Sequence, residues 1–146
     1  GGASSGGNLA MTVAINCINN NLKPPKLILY YPNVTYIDLT DKSVSNSTLQ
    51  MNFFDRDYYR NTIYKDKLDM ILSTASPILF DKFDEFPECY FILSKNDMII
   101  DLQKHVIEKI PKKIVKSFDY AHGFIADNSV NTKTFTKDLK LFVKSN

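Results

Sequence analysis

The sequence predicts an α/β fold in which parallel strands alternate with helices. Two apolar runs, residues 27–31 and 89–93, continue without polar alternation, which is typical of strands covered on both faces. Apolar residues at helical spacing occupy stretches 9–18 and 99–110, one before the first run and one after the second. Helix and strand therefore follow one another along the chain, as they do in a parallel sheet.

Length and composition set broad limits on function. The 146 residues are enough for one domain with a hydrophobic core, and we expect 1–146 to form a single domain. The net charge of +2 is too small to favour nucleic acid or an anionic membrane as a partner. No apolar run is long enough to cross a bilayer, so we expect no integral membrane segment. No signal-peptide pattern opens the sequence, and we expect a cytoplasmic location.

The sulfur and imidazole groups do not suggest a metal centre. Cys17 falls on a predicted helix and Cys89 at the head of a predicted strand, so we expect free buried thiols, with a disulfide as the lesser alternative. Two cysteines and two histidines placed far apart give no ligand set. We therefore expect no metal and no cofactor.

The first ten residues contain a pattern that points to chemistry. Residues 2–6 fit G-x-S-x-G, the turn that carries a nucleophilic serine from the end of a strand into a helix. Ser4 is the candidate nucleophile, and the glycines prevent clashes where the backbone folds sharply around it. A flexible Gly/Ser linker is the alternative. The helical spacing that begins directly after Gly6 and Gly7 argues against a linker, which has no reason to show it.

The middle and the end of the chain complete the predicted alternation. Stretch 34–75 carries aromatic residues at mixed helical spacings. One interpretation is surface helices packed on the body; the other is a helical excursion over the carboxyl edge of the sheet, where its aromatics help to line a pocket. Residues 113–118 alternate only in part, as expected of a strand nearer the sheet edge. A final helix carries Phe135, Leu139, Phe142 and Val143.

A carboxylate follows the second apolar run. Residues 94–97 form the turn after that strand, where Asp97 can point along the top of the sheet towards an imidazole. Asp97 is therefore the acid that we predict for the site. Asp101 is better explained as a first-turn acid that the helix dipole favours. His105 lies among lysines on the same helix, and we assign it no catalytic role.

The loop after residues 113–118 supplies the imidazole. His122 precedes Gly123, which lets the backbone turn and leaves the ring exposed. A lone histidine in a loop is a weak signal. Here it completes the order serine, aspartate, histidine, with Asp97 and His122 each following a predicted strand, and that order is typical of one family of hydrolases.

Four motifs together resemble the hormone-sensitive-lipase-like branch of the α/β-hydrolases, which includes bacterial esterases and arylacetamide deacetylase. They are G-G-x-S-x-G-G-N-L-A at 1–10, S-P-I-L at 76–79, N-D-x-x-x-D at 96–101 and H-G-F at 122–124. The Y-P pair at 31–32 is similar to the one that closes the strand after the serine turn in that family. The chain departs from the usual pattern at Ala3, Ser5 and Met98, where no reacting group is lost.

The resemblance covers essentially the whole chain and implies the carboxyl-terminal part of an α/β-hydrolase fold. It implies a serine carboxylic-ester hydrolase in which Ser4 attacks, His122 is the general base and Asp97 orients the imidazole. The backbone N–H of Ser5 would be one oxyanion donor. The implied partner is a small apolar ester.

Two parts of such a hydrolase do not occur in this sequence. The H-G-G motif that supplies further oxyanion donors is absent, and Ser4 stands too near the first residue for a strand to precede it. We therefore predict that the 146-residue chain alone is a poor catalyst, whereas the parent protein is an esterase. We also predict self-association, because the strand at 27–31 would present an unpaired apolar edge to water.

Two alternatives from other classes remain. One is a non-catalytic receptor or interaction protein with the α/β-hydrolase fold, although such relatives often lose one of the three reacting residues. The other is a nucleotide-binding α/β domain that uses residues 1–7 as a phosphate loop. That segment lacks the lysine of a P-loop, and its glycine spacing does not fit the dinucleotide-binding pattern.

Overall fold

The computed structural model describes residues 1–36, 72–126, 131 and 133–145. In this part of the chain one parallel sheet has the strand order β1-β2-β3-β4. The strands are β1 (Gly2–Ala3), β2 (Leu27–Tyr30), β3 (Cys89–Ser94) and β4 (Lys113–Phe118). The α-helices are α1 (Ser5–Asn19), α2 (Ile100–Lys109) and α3 (Lys133–Lys144). The predicted α/β class with parallel strands is confirmed. Most of the excursion predicted at 34–75 lies outside the described residues.

The central strands place alternate side chains in two apolar layers, one on each face of the sheet. Every residue of β3 is buried, which explains why its sequence shows no polar alternation. One layer packs against α1 and α2, and its strand residues are Leu27, Leu29, Cys89, Phe91 and Leu93. The other layer packs against α3, and its buried residues are Tyr31, Tyr90, Ile92, Phe124, Phe135 and Phe142.

Strand β4 forms one edge of the described sheet. It pairs with β3 from Cys89 and Lys113 to Ser94 and Phe118, and five of its six residues are exposed. The edge position agrees with the partial alternation of its sequence. Lysines such as Lys113 on an exposed edge discourage pairing with another chain.

The prediction that no strand precedes Ser4 is wrong. Gly2 and Ala3 pair with Leu29 and Tyr30 of β2, and the Ser4 N–H donates to the Tyr30 carbonyl at 3.0 Å. Two small residues carry no strand pattern in the sequence. Their pairing with β2 is what shows that they are extended. The edge of β2 is therefore covered at its carboxyl end, although β1 pairs with only two of its four residues.

Helix α1 begins earlier than the predicted start after Gly7 and ends close to the predicted stretch 9–18. Its first residue is Ser5, so Gly6 and Gly7 lie within the first turn. At its end Asn21 has φ 56°, the left-handed conformation that asparagine tolerates. The Leu22 N–H donates to the Cys17 carbonyl at 2.8 Å, and the Asn21 N–H donates to the Ile18 carbonyl at 3.0 Å. This pair of bonds is a Schellman motif.

Both cysteines are free thiols, as expected, although Cys17 is only partly buried. Burial, with a smaller contribution from the charge of Glu88, raises the pKa of the Cys89 thiol to about 12. Cys89 is therefore a core residue and not a nucleophile. None of the described helices is long and apolar enough to cross a membrane.

Candidate active site

Ser4 lies at the apex of a strained turn between β1 and α1. Its backbone has φ 51° and ψ −116°, a combination that non-glycine residues adopt only when their surroundings enforce it, at a cost of about 1–3 kcal/mol. Its carbonyl accepts hydrogen bonds from the backbone N–H of Asn8 at 3.1 Å and of Asn33 at 2.9 Å. The backbone of Ser4 is thus fixed while its hydroxyl is left to point elsewhere.

The glycines around Ser4 differ in how much space surrounds them. A Cβ at Gly2 would lie 2.3 Å from the Gly6 carbonyl oxygen, and a Cβ at Gly7 would lie 2.7 Å from Pro32 Cβ. A Cβ at Gly6 would have nothing within 4 Å. The clash predicted for the G-x-S-x-G glycines therefore occurs at Gly2 but not at Gly6, and the crowded second glycine is Gly7.

Asp97 occupies the turn between β3 and α2, with its side chain entirely buried at 0% exposure. Its N–H donates to the Ser94 carbonyl at 3.3 Å, and its Oδ1 accepts the N–H of Ile99 at 3.0 Å. The second bond is an Asx-type turn in which the side chain holds its own loop. One carboxylate oxygen is therefore committed to the turn, and the other, Oδ2, faces the site.

His122 lies in the loop after β4. Gly123 follows with φ 86°, a conformation that favours glycine, so the chain reverses directly after the imidazole. The Tyr31 ring packs edge-on against the imidazole at 4.9 Å between centroids. The hydroxyl of Tyr31 accepts the Ile125 N–H at 3.3 Å, and the Ser94 hydroxyl donates to the Tyr120 carbonyl. These contacts hold the loop on both sides of His122.

The three predicted side chains meet in a single hydrogen-bonded series. Ser4 Oγ lies 2.8 Å from His122 Nε2, and His122 Nδ1 lies 2.7 Å from Asp97 Oδ2. Because a carboxylate only accepts hydrogen bonds, Nδ1 carries the proton in this pair and Nε2 accepts the serine proton. A hydroxyl, an imidazole and a carboxylate in this order can activate the oxygen as a nucleophile.

The two other titratable residues considered from the sequence lie away from this series. Asp101 is exposed in the first turn of α2, where Lys104 lies 3.5 Å from its carboxylate. His105 is exposed on the same helix. Ser5 is the first residue of α1, so its backbone N–H is one of the groups that a helix start leaves without an intrahelical partner.

Two residues of the site went unrecognised in the sequence. Gln103 of α2 is fully buried, and its amide Nε2 lies 3.1 Å from Asp97 Oδ2. A lone glutamine within a helix reads as a surface residue, so no sequence signal identifies it. Tyr31 was visible only as the end of a strand; its φ of 34° turns the chain there. Burial raises the pKa of Tyr31, the Ile125 hydrogen bond opposes this, and the charge of Asp97 adds to the rise.

The described residues contain no group of three or more His, Cys, Asp or Glu side chains that could hold a metal ion. The hydroxyl, imidazole and carboxylate of the site are hydrogen-bonded to one another, and the chemistry that they can perform is proton transfer and nucleophilic attack.

Comparisons with known proteins agree with this architecture. No curated protein matches the chain in sequence. Residues 1–125 match the model of a protein family whose description is "alpha/beta hydrolase fold".

Three solved structures illustrate the likeness. Carboxyl esterase 2 of the mycorrhizal fungus Tuber melanosporum has a TM-score of 0.73 at 17% identity, covering 98% of this chain and 52% of that one. An esterase of Pyrobaculum calidifontis has a TM-score of 0.68 at 24% identity, and the match covers 85% of this chain and 43% of that one. The Francisella virulence factor BioJ has a TM-score of 0.70 at 20% identity, and the match covers 97% of this chain and 49% of that one. The chain thus spans about half the length of each of these proteins.

Proposed function

Because the chain belongs to the α/β-hydrolase fold family, we propose that it carries the catalytic triad of a serine carboxylic-ester hydrolase. Ser4 is the nucleophile, His122 is the general base, and Asp97 is the carboxylate that orients the imidazole. The observation that supports this most directly is the pair of hydrogen bonds that joins them, 2.8 Å from Ser4 to His122 and 2.7 Å from His122 to Asp97. The similar proteins from Tuber and Pyrobaculum are named as esterases, which supports the reaction class.

In the acylation step Ser4 Oγ attacks the carbonyl carbon of the ester while its proton passes to His122 Nε2. Asp97 retains the Nδ1–H bond and stabilises the imidazolium that forms. The tetrahedral intermediate then collapses, the bond from carbon to the alcohol oxygen breaks, and the proton on Nε2 passes to the leaving alcohol. The products of this step are the free alcohol and an acyl group on Ser4.

Deacylation uses the same groups with water as the nucleophile. His122 Nε2 takes a proton from the water as its oxygen attacks the acyl carbon. The second tetrahedral intermediate breaks the bond to Ser4 Oγ, which regains a proton from the imidazolium. The carboxylic acid leaves, and the enzyme returns to its starting protonation.

The backbone N–H of Ser5 stabilises the oxyanion of both intermediates. It is the first N–H of α1, where the partial positive charge of the helix start adds to the hydrogen bond. The H-G-G motif that would supply further donors does not occur in these 146 residues. Because loss of an oxyanion donor costs a factor of about 10²–10³ in rate, we expect slow turnover by this chain alone.

Aromatic packing beside the imidazole favours an apolar substrate. The Tyr31 ring lies 4.9 Å from that of His122, and the Phe124 ring lies 5.0 Å from that of Tyr31. Within the described residues, these two buried rings make this side of His122 apolar. A small apolar ester is the substrate class that we propose.

The test measures covalent labelling of the folded chain by a fluorophosphonate probe, followed by hydrolysis of p-nitrophenyl acetate. Ser4→Ala, His122→Gln and Asp97→Asn should each reduce labelling to background. Each has a matched control on an exposed residue of the same type: Ser117→Ala, His105→Gln and Asp101→Asn. The controls should be labelled at the rate of the unmodified chain, and ester hydrolysis should be slow but dependent on Ser4.

Two results would contradict the proposal. If the folded, unmodified chain never reacts with the probe, the non-catalytic alternative is favoured. If Ser4→Ala hydrolyses p-nitrophenyl acetate as fast as the unmodified chain, Ser4 is not the nucleophile. Fast hydrolysis that Ser4→Ala abolishes would instead support the triad and overturn only the expectation of slow turnover.

A further inference from the structure

Gln103 connects the acid of the triad to the rest of the site. Its Nε2 lies 3.1 Å from Asp97 Oδ2 and 3.2 Å from the Pro32 carbonyl oxygen. Both neighbours are acceptors, so the amide group must present its NH₂ to them, one hydrogen to each. Gln103 lies within α2, and its side chain is completely buried.

The other end of the amide shows that the side chain is not kept for packing alone. Gln103 Oε1 is buried and has no hydrogen-bond partner among the described residues. A buried acceptor without a partner opposes folding, and an apolar residue of the same shape would avoid that penalty. Within the described residues, the hydrogen bonds that this amide makes are the two that its NH₂ group donates.

Those two bonds link the turn of Asp97 to the turn of Ser4. Pro32 is the residue that a Cβ at Gly7 would strike, so it packs directly on the first turn of α1. The next residue, Asn33, donates its N–H to the Ser4 carbonyl at 2.9 Å. A side chain that holds both Asp97 and Pro32 thus fixes the distance between the acid and the nucleophile.

The Asp97 carboxylate needs this second anchor. Its Oδ1 is held by the Ile99 N–H at 3.0 Å, while Oδ2 is shared between His122 Nδ1 and Gln103 Nε2. Without Gln103, Oδ2 would be held only by the imidazole that it is supposed to orient. The carboxylate would then keep only the Ile99 N–H on Oδ1 as an anchor, and Oδ2 would fix the ring less firmly.

We propose that Gln103 is a positioning residue, which orients Asp97 Oδ2 towards His122 and ties the acid turn to the nucleophile turn through Pro32. Its effect on the reaction rests on the proposed function, whereas its effect on the bond from His122 to Asp97 can be measured without any reaction. The nearest apolar substitution in shape is Gln103→Met, which fills the space and removes both donors.

The test compares Gln103→Met with Val106→Ala, which loosens the packing of the same helix at a buried residue whose apolar side chain cannot hydrogen-bond to Asp97. Folding of each variant is verified by circular dichroism. Gln103→Met should be labelled by the fluorophosphonate about 10- to 100-fold more slowly, because a misplacement near 1 Å costs that much. Val106→Ala should be labelled at the unmodified rate once the folded fraction is taken into account.

A second readout follows the Nδ1 proton of His122 by NMR. The chain has only two histidines, and His105 is exposed, so its ring proton exchanges rapidly with water. The low-field resonance of His122 should be present in the unmodified chain and in Val106→Ala. In Gln103→Met it should move upfield or disappear through exchange.

The proposal is overturned if folded Gln103→Met keeps both the unmodified labelling rate and the unmodified resonance. If Gln103→Met does not fold, Gln103→Asn replaces it: the shorter amide cannot reach Asp97 and Pro32 together and should show the same losses. If the unmodified chain is never labelled, the proposed function has failed, and the NMR comparison still decides the role of Gln103.

Discussion

Replacing Gly7 by alanine should damage both stability and reactivity. The added Cβ would lie 2.7 Å from Pro32 Cβ and 2.9 Å from Pro32 Cα. Carbon atoms make their best contacts at about 3.5–4.0 Å, so the two segments must separate by roughly 1 Å. Overpacking of this kind costs about 1–3 kcal/mol. The better helix propensity of alanine offsets about 1 kcal/mol, leaving a net loss of up to about 2 kcal/mol.

The displacement also reaches Ser4. Pro32 precedes Asn33, whose N–H holds the Ser4 carbonyl, and Pro32 itself accepts the Gln103 hydrogen bond. A shift near 1 Å in these contacts should slow labelling of Ser4 by up to about 10²-fold. The assay is urea denaturation for the free energy of unfolding, with the fluorophosphonate rate measured on the folded protein.

Gly6→Ala is the matched control, because the adjacent glycine has nothing within 4 Å of its added Cβ. It should leave the labelling rate unchanged and stabilise the chain by up to about 1 kcal/mol. Equal losses in Gly6→Ala and Gly7→Ala would refute the steric reasoning, since only one of them meets Pro32. Unmodified stability and labelling in Gly7→Ala would refute it as well.

Two further predictions concern alkaline pH and association. The Cys89 thiol has a pKa of about 12 in the folded chain against 9.0 ordinarily, so the folded state retains a proton that the unfolded state releases. The free energy of unfolding should therefore fall as the pH rises above 9.0, with a slope that approaches about 1.4 kcal/mol per pH unit. Urea titrations between 9.0 and 10.0 should show a fall of about 1 kcal/mol from this thiol, and Cys89→Ala should lack that contribution. Sedimentation velocity should show concentration-dependent association, because β1 covers only two residues of β2; a monomer at every concentration would contradict this.

The elements with strong local patterns were predictable from the sequence. The apolar residues of β3 contribute to the layers on both faces of the sheet, and every one of them is buried. This explains why the sequence of β3 shows no polar alternation. Ser4, Asp97 and His122 stand in turns whose residue types are dictated by strained or reversed backbone, so the motifs mark their positions. Their roles in catalysis stay a prediction until the labelling experiment is done.

The elements that depend on distant partners were not predictable. Gly2 and Ala3 are extended only because β2 lies beside them, and the crowding at Gly7 exists only because Pro32 packs there. Gln103 is of a residue type that is usually exposed, yet the fold buries it against Asp97. In each case a contact between segments remote in sequence decides the outcome, and local propensity carries no record of such contacts.

The separation of 118 residues between Ser4 and His122 has a consequence for biosynthesis. During translation Ser4 emerges from the ribosome long before His122, and a parallel sheet offers no local hairpin through which a nascent segment could bring the two together early. On the proposed function, Ser4 gains its base only when the loop after β4 has docked. Attachment of an activity probe to Ser4 would then report that the fold has been completed.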